Sequence, residues 1–425
     1  MKNNRKLILR AFFSIITFFS FNPVFAELCF NGLAGAKAGF DSDKTSEDFD
    51  PQMKIQSFFA GQFNISDNFI LHGEFSIKTN DLIDNSIFKE TPAAFQVDEL
   101  SAVIRKPFAG TTNYLSAFVG TYEPIGSDIF LRRHFGIQPI SSIITESWLG
   151  IAGSVIYPLF GAGISDVIHF ESQPIATGLY AYVNHEKDDS FVLNLDGRFA
   201  CVYRYFTLDF ATGLGSPLNT KEYDDAFLVI DTLYWRAGMN LLIGNMYTSS
   251  LFLQAGVSEV PFKKSEQNLS IRDIKTYLLI EPRLNLSKCR IDLTAFSLPT
   301  DKKDDEEVSA SDDTEPVKQT SVEEFIFIED TLGVSINIHS DDLYIKNQNF
   351  MFGIQTSLSF PDKEFYDLKD FDTLFDDYTI CLTPYLQTKI FNGELHTLLK
   401  CRITDFMNDK WYNGLNFSIG YKAQF

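Results

Sequence analysis

The sequence lacks the features that would suit several common classes of protein. Beyond the first 26 residues, no stretch approaches twenty consecutive apolar residues, so we expect no transmembrane helix. Positive charge is scarce, with 36 Lys and Arg against 56 Asp and Glu and a formal net charge of −20. A chain this acidic repels phosphate backbones, and we therefore expect no nucleic-acid partner.

Cysteine is also scarce, and its placement suggests neither metal chemistry nor a disulfide framework. No CxxC pair occurs, and no cysteine has metal-ligand spacing with the six histidines, so we predict no metal site and no cofactor. Cys381 and Cys401 lie on one predicted hairpin around Asn392-Gly393, but out of register with each other. We expect them to be unbonded. The other cysteines are Cys29, Cys201 and Cys289.

Residues 1–26 have the pattern of a secretory signal peptide. A basic start (Lys2, Arg5, Lys6 and Arg10) precedes a mostly apolar run at residues 11–19, and Ala26 ends a segment that suits a signal peptidase. The leader carries four positive charges and no negative one, so its removal changes the net charge from −20 to −24. We predict an exported chain with one mature domain, residues 27–425.

The strongest pattern is in the last fifteen residues, 411–425, where large apolar side chains alternate with polar or small ones. Because side chains alternate between the two faces of a strand, one face here is apolar and the other is polar. A tilted strand of about ten residues crosses a bilayer. The segment resembles the final strand of Gram-negative-type outer-membrane β-barrel proteins, which ends in Phe and serves as the insertion signal. The matching positions are Phe417, Ile419, Tyr421, Ala423 and Phe425.

The resemblance implies an all-β fold, a single antiparallel transmembrane barrel in the outer membrane. Alternating segments recur along the chain, separated in turn by tight turns and long polar loops. A first count gives nineteen strands, but both chain ends should be periplasmic, which requires an even number. Taking residues 159–174 as irregular gives eighteen, and sixteen is the alternative. The apolar parity also flips between Tyr203 and Phe206 without a turn residue.

Two acidic segments, residues 300–324 and 361–377, should be external loops of this barrel. The first contains ten acidic and three basic residues and almost no large apolar ones. Neither has the residue spacing of a calcium-binding loop, so the pattern favours a solvated loop over a site for divalent cations or a partner.

Enzymatic barrels need residue sets that this sequence does not have. A barrel phospholipase or deacylase needs a His-X-Ser pair on one strand, and this sequence contains no such pair. The barrel proteases combine Asp-X-Asp with Asp-X-His, and only the first pattern occurs, for example at residues 370–372. A nucleophile without a base is not activated, so we do not expect an enzyme.

The most informative internal segment is residues 123–142, which the strand count places in the third external loop. This layout resembles that of general porins, in which the corresponding loop folds into the lumen and narrows it. Its candidate constriction residues are Arg132, Arg133 and His134, with Glu123 and Asp128 as their partners. An exposed surface loop is the alternative. The acidic motif that porins carry on this loop is absent here.

A second candidate site consists of five cations on the polar parity of neighbouring strands. We expect no inward acidic residue on those strands, and such a stripe of positive charge would bias passage toward anions. They are Lys37, Lys389, Lys400, Arg402 and Lys422.

The sequence therefore predicts a porin for passive diffusion of small hydrophilic solutes. An eight-stranded barrel is filled by side chains, whereas sixteen or more strands leave an aqueous channel. The alternatives are a fatty-acid-type transporter of hydrophobic substrates, which would need an amino-terminal hatch, and a surface adhesin or structural barrel. Expected partners are outer-membrane lipid, the small solutes and the insertion machinery, which would act on the strand of Phe425. The sequence leaves open whether the chain forms a homo-oligomer.

Overall fold

The computed structural model describes residues 29–42, 50–79, 81–83, 93–137, 142, 144, 156, 159–185, 191–218, 233–245, 247–262, 274–299, 327–328, 330–340, 343–345, 348–369, 374–406 and 411–425. The predicted signal peptide and the whole acidic segment 300–324 lie outside these residues, as do residues 370–373 of the second acidic loop. No helix in the described part is long and apolar enough to span a membrane.

The chain forms eighteen antiparallel strands, which confirms the predicted fold class. The strands are β1 (Cys29–Ser42), β2 (Pro51–Ser66), β3 (Phe69–Thr79), β4 (Ala93–Phe108), β5 (Thr111–Thr121), β6 (Phe160–Phe170), β7 (Ile175–His185), β8 (Phe191–Tyr203), β9 (Phe206–Pro217), β10 (Tyr234–Gly244), β11 (Ser250–Pro261), β12 (Lys275–Asn285), β13 (Cys289–Ser297), β14 (Leu332–Ser340, continued by Leu343–Ile345), β15 (Gln348–Phe360), β16 (Thr379–Ile390), β17 (Gly393–Arg402) and β18 (Leu415–Gln424). Among the described connection residues there are two short α-helices, α1 (Ile129–Phe135) and α2 (Ile403–Phe406).

Each strand pairs with its neighbours in sequence, and β1 pairs with β18 to close the barrel. At this seam the small residues Ala34, Ala36 and Ala38 lie opposite Ala423, Tyr421 and Ile419. Two further hydrogen bonds join the backbones of Gly32 and Phe425, at 2.8 and 3.0 Å. A closed barrel has no unpaired edge, which is the condition for strands to cross a bilayer.

The two faces of the wall differ as the alternation predicts. Large apolar side chains are exposed on the outside, where lipid would cover them; examples are Leu115, Leu179, Leu195, Ile336 and Phe352. The inside holds buried polar side chains such as Asn194, Asp209, Gln254, Ser357 and Thr383. This is the architecture of an outer-membrane barrel, and the outer membrane is where the chain resides.

Residues 159–174 are not irregular, and that part of the sequence analysis is wrong. Strand β6 pairs with β5 and β7 along its whole length. Its alternation is weak because Gly161 and Gly163 take inward positions, while Asp166 takes an outward one between Leu115 and Leu179. The parity flip after Tyr203 also has a simple cause, since a two-residue turn, Arg204-Tyr205, separates β8 from β9.

The final strand is shorter than its sequence pattern. Strand β18 begins at Leu415, and Trp411–Gly414 form a 3₁₀ turn before it. Ten residues still suffice to cross the bilayer. On the preceding hairpin, Cys381 lies opposite Arg402 and Cys401 opposite Leu382, so the two cysteines are out of register as predicted, and both are free thiols.

Candidate functional site inside the barrel

We call the connection between β5 and β6 (residues 122–159) the inserted loop, and its described residues, 122–137, 142, 144, 156 and 159, lie inside the lumen. Its two ends are adjacent, because the amide of Tyr122 donates to the carbonyl of Leu159 at 2.9 Å. Ile125, Phe130 and Leu131 have no exposed surface. Such side chains on an external connection can be fully covered only where the barrel wall surrounds them.

The backbone of the inserted loop turns sharply where it leaves the wall. Glu123 and Gly126 have φ of 47° and 107°, in the left-handed region. That conformation is uncommon for a residue with a side chain, and at Glu123 the surrounding contacts must hold it. Helix α1 follows and ends at Gly136 with φ of 70°, where the Gly136 amide donates to the carbonyl of Arg132 at 3.1 Å.

The apolar side of the inserted loop packs on the inner surface of the wall. Strands β7 to β12 present buried aromatic and aliphatic residues to it, among them Tyr180, Tyr182, Ala200, Ala211, Leu242, Phe252, Tyr277 and Leu279. Burying each large side chain stabilises this arrangement by roughly 1.5–3 kcal/mol. The packing explains why the segment is rich in Ile, Leu and Phe although it connects two strands.

Glu123 is the polar centre of the inserted loop. Its carboxylate accepts a hydrogen bond from the Tyr180 hydroxyl at 2.7 Å and lies 3.0 Å from Nε2 of His134 and 3.7 Å from Nη1 of Arg133. Burial alone would raise the pKa of Glu123, but His134 and Arg133 outweigh it and lower the pKa to about 2. The carboxylate is therefore ionised at neutral pH.

Two arginines attach the inserted loop to the barrel wall at separate strands. Nη2 of Arg133 donates to both carboxylate oxygens of Glu99 on β4, at 2.7 Å each. Nη1 of Arg198 on β8 donates to the carbonyl of Glu123 at 2.6 Å, and its guanidinium stacks 4.1 Å from the ring centre of Phe130. Charged hydrogen bonds therefore hold the loop in place, in addition to its apolar packing.

Further polar contacts continue across the lumen to β11 and β12. Nε2 of Gln254 donates to the carbonyl of Gly126 at 3.0 Å, and the hydroxyl of Ser142 donates to a carboxylate oxygen of Glu281. We call strands β4 to β12 the covered wall, because the contacts of the inserted loop described above lie on them.

The arginines of the covered wall are themselves paired with acids. Arg198 donates to Asp209 at 2.6 and 2.7 Å, and Arg236 donates to Asp196 at 2.6 and 3.0 Å. These pairs are almost fully buried. Removing one member would leave an uncompensated buried charge, so the pairs fix the shape of the surface that receives the loop.

The structure brings three of the five predicted constriction residues together. Glu123, Arg133 and His134 form one contact group. Arg132 is exposed on the same helix. Asp128 takes the position before α1, where its side chain makes no capping hydrogen bond and its carbonyl accepts from the amide of Arg132.

The five predicted cations lie on the wall around the closing seam, formed by β16 to β18 and β1 to β3, which we call the seam wall. The expectation that they lack inward acids is wrong. Lys422 lies 3.5 Å from Glu394, and Arg402 lies 3.0 Å from Asp405. Glu394 was overlooked because it directly follows the Asn-Gly turn, although it shares the inward parity of Lys400 and Arg402.

Lys37 and Lys400 are close enough to interact electrostatically with each other, and Asp41 attracts Lys37. Lys389 lines a cavity of about 220 Å³ together with Glu394 and Gln387. The seam wall thus carries mixed charge with an excess of cations, not a purely cationic stripe.

The wall residues that hold the inserted loop were not found from the sequence. Glu99, Arg198, Gln254 and Glu281 come from four strands distant in sequence, and nothing in a single sequence links them to residues 123–142. The available signal was their parity, since each is a charged or amide side chain at an inward position of a strand.

A larger cavity of about 710 Å³ lies at the end of the barrel where β1 begins and β18 ends. It is lined by Ser66, Asp67, Ile70, Tyr114 and Arg133, among others. Arg133 therefore has one side on the covered wall and the other on open space.

No protein-family model matches the chain, and no curated protein is similar to it in sequence. Among solved structures, it is similar to Wzi of Escherichia coli, an outer-membrane carbohydrate-binding β-barrel involved in group 1 capsule assembly, at 11% identity and a TM-score of 0.44. That match covers 93% of this chain and 84% of Wzi.

A mutant of the Rhodopseudomonas blastica porin is similar at 8% identity and a TM-score of 0.41, covering 94% of this chain and 100% of the porin. Likenesses of this size carry no information on what passes through the barrel.

Proposed function

We propose that this barrel is a channel for the passive diffusion of small hydrophilic solutes, with the inserted loop as its constriction. The observation that supports this best is that the contacts of the loop's described residues lie on one side of the barrel. Its contacts run from Glu99 on β4 to Glu281 on β12, while the seam wall keeps polar, charged side chains toward the lumen. A loop held on one side narrows a lumen of eighteen strands without having to close it.

The charges of the lumen suggest a mild preference for anions. Arg132 is exposed on α1, and the seam wall carries more cations than acids. Charges on the acidic external loops lie in open, salt-filled solvent, where they are screened within about 8 Å at physiological ionic strength. Charges at the constriction lie close to every passing ion, so they should outweigh those of the loops.

Two alternatives are less well supported. A fatty-acid-type transporter would be expected to carry an amino-terminal hatch before its first strand. Here β1 begins at Cys29, directly after the predicted signal peptide. A hydrophobic substrate would also meet Lys37, Glu394 and Lys422 on the seam wall. An adhesin or structural barrel does not need an open lumen, and only a transport measurement distinguishes it from a channel.

The deciding experiment is conductance in a planar bilayer. We expect the refolded protein to give stepwise, ohmic increases in current. Replacing residues 124–158 by a short Gly-Ser turn should raise the conductance of each step, and the adjacency of Tyr122 and Leu159 makes this deletion feasible. A correctly folded barrel that gives no steps, with or without the loop, would contradict the proposal and favour the adhesin or structural alternative.

Assembly in the outer membrane is proposed to depend on β18 and its terminal Phe425, read by the insertion machinery. The phenyl ring of Phe425 packs 5.6 and 5.9 Å from the rings of Phe30 and Phe59, on the outer face. Deleting Phe425 should reduce the amount of heat-modifiable barrel in outer-membrane fractions, and unchanged assembly would argue against this partner.

A further inference from the structure

Three side chains on β3 and β4 converge beside the inserted loop in a way that the channel proposal does not use. His72 and Glu74 are two residues apart on the inward face of β3, and Glu99 lies directly opposite Glu74 on β4. One ligand atom from each lies within 4.8 Å of the other two. Both carboxylates are almost fully buried, at 3% and 1% exposure.

Two buried carboxylates facing each other across a strand pair repel, and they require positive charge nearby. Arg133 supplies it to Glu99. Glu74 lies 2.8 Å from Nε2 of His72, and in the described part of the chain no Lys or Arg comes within 4.0 Å of it. Arg132 and Arg133 attract Glu74 only from beyond 4.0 Å, so the two facing carboxylates leave a place for a bound cation between them.

We propose that His72, Glu74 and Glu99 bind a divalent transition-metal ion, with Zn²⁺ as the best fit. One imidazole nitrogen and two carboxylate oxygens suit zinc, whose ligands lie at about 2.0–2.2 Å in a tetrahedron and are therefore about 3.3 Å from one another. The observed 2.8 Å between His72 and Glu74 needs to open by about half an ångström, within the range of side-chain adjustment. The proposal does not depend on conduction.

Glu99 is already oriented as a metal ligand requires. The hydroxyl of Ser101 donates to its Oε1 at 2.6 Å, and Nη2 of Arg133 donates to both oxygens at 2.7 Å. Ligating carboxylates are commonly held by such outer hydrogen bonds, which fix the direction of the remaining lone pairs. Arg133 and Ser101 are thus positioning residues, and the metal site would join the wall to helix α1.

The fourth ligand would be water, supplied by the 710 Å³ cavity. Ile70, two residues before His72 on the same face of β3, lines that cavity together with Arg133. His72 is 16% exposed, whereas both glutamates are nearly covered, so the ion would enter past the imidazole.

The chain contains a matched pair that lacks the metal-binding chemistry. On β17, His396 lies 3.0 Å from Glu394, also two residues away on an inward face. The third partner there is Lys422, at 3.5 Å from Glu394, in place of a second carboxylate. With one carboxylate in place of two, that pair offers too few ligands to hold the ion, so His396 serves as the internal control.

The test is a Zn²⁺ titration of the refolded, chelator-treated barrel by isothermal calorimetry at pH 7.5. Excess Mg²⁺ is included to occupy the acidic loops, since it prefers oxygen ligands. We expect one Zn²⁺ per chain. His72→Gln and Glu74→Gln should weaken binding at least tenfold, Ser101→Ala by about tenfold through loss of the outer hydrogen bond, and His396→Ala should leave it unchanged.

Each variant is first checked for heat-modifiable migration, because a misfolded barrel says nothing about the site; His72→Gln keeps a hydrogen-bonding side chain and is chosen to preserve folding. With Co²⁺ in place of Zn²⁺, visible absorption bands of a tetrahedral nitrogen–oxygen site should appear in the wild type and His396→Ala but not in His72→Gln. Equal Zn²⁺ affinity of wild type and His72→Gln, or loss of binding in His396→Ala alone, would overturn the proposal.

Discussion

The covered wall and the seam wall follow the same rule of alternation, yet their inward residues differ in kind. The covered wall combines buried arginine–acid pairs, such as Arg198–Asp209, with aromatic rings and glycines that receive the inserted loop. The seam wall carries longer, partly exposed cations, such as Lys422 and Arg402. Parity decides which side chains face the lumen, and only the identity of those side chains decides whether a loop rests on them.

The largest effect should follow from breaking the attachment on the covered wall. Arg198→Ala removes the partner of Asp209 and the bond to Glu123, leaving a buried carboxylate unpaired. Such losses cost about 3–5 kcal/mol. We expect a lower unfolding midpoint in a denaturant titration and, as the loop loosens, a larger and noisier conductance.

Lys275→Ala is the control for that change. Lys275 lies 3.1 Å from Glu259, and both side chains of this pair are more than a third exposed, at 38% and 55%. A loss below about 1 kcal/mol is expected for such a pair. If both variants lose equal stability, the covered wall is not specially dependent on its buried pairs.

A second test compares the two faces of β18 at neighbouring positions. Phe417→Arg places a charge on the lipid side and should cost about 2–4 kcal/mol near the bilayer midplane. Ser418→Arg should cost much less, because Ser418 faces the lumen opposite Gly39, beside which there is open space. Refolding titrations of both variants would measure the difference, and equal costs would show that the register of β18 is wrong.

A third test compares glycines on the two walls. A Cβ on Gly238 of the covered wall would lie 2.7 Å from a methyl carbon of Ile125 and 2.8 Å from one of Ile156. Gly238→Ala should therefore cost about 1–3 kcal/mol by overpacking. A Cβ on Gly39 of the seam wall would meet nothing within 4 Å, so Gly39→Ala should be near neutral. The reverse order of unfolding midpoints would place the loop elsewhere.

The smallest expected effect concerns ion selectivity. Arg132→Gln removes an exposed charge on α1 inside the lumen and should shift the reversal potential in a salt gradient toward cation preference. Arg204→Gln removes the same charge from a turn at the rim, where solvent screens it, and should shift the potential less. Cation preference of the unmodified channel would contradict the proposed selectivity.

Most of the barrel could be predicted from the sequence because alternation is a local signal. It failed at β6, where Gly161 and Gly163 supply no inward side chain and Asp166 interrupts the outward apolar row. The alternation also predicts too long a final strand, because the residues before Leu415 keep the pattern although their backbone forms a 3₁₀ turn.

The candidate site was predictable only in part. The apolar content of residues 123–142 indicated that the segment packs against something, and the contacts of Glu123 with Arg133 and His134 are within reach of one short segment. Glu99 and Arg198 could not be found, because their link to the loop depends on closure of the sheet. The cluster of His72, Glu74 and Glu99 has the same origin: the residues are adjacent only through the register of β3 with β4.

The seam also has a consequence for the order of folding events. Almost the whole chain lies between β1 and β18, so their pairing is the most non-local contact of the barrel and the slowest to search for. On the outer face β1 contributes little more than backbone at Gly32, Ala34 and Ala36, while β18 contributes Tyr421, and the ring of Phe425 covers Gly32 so closely that a Cβ there would collide with it. A slip of two residues would keep the faces correct but would place that ring opposite Ala34 in one direction and opposite Phe30 in the other, and both have a side chain where Gly32 has none. Phe425 and Gly32 together therefore favour a single register for the pairing of β1 with β18.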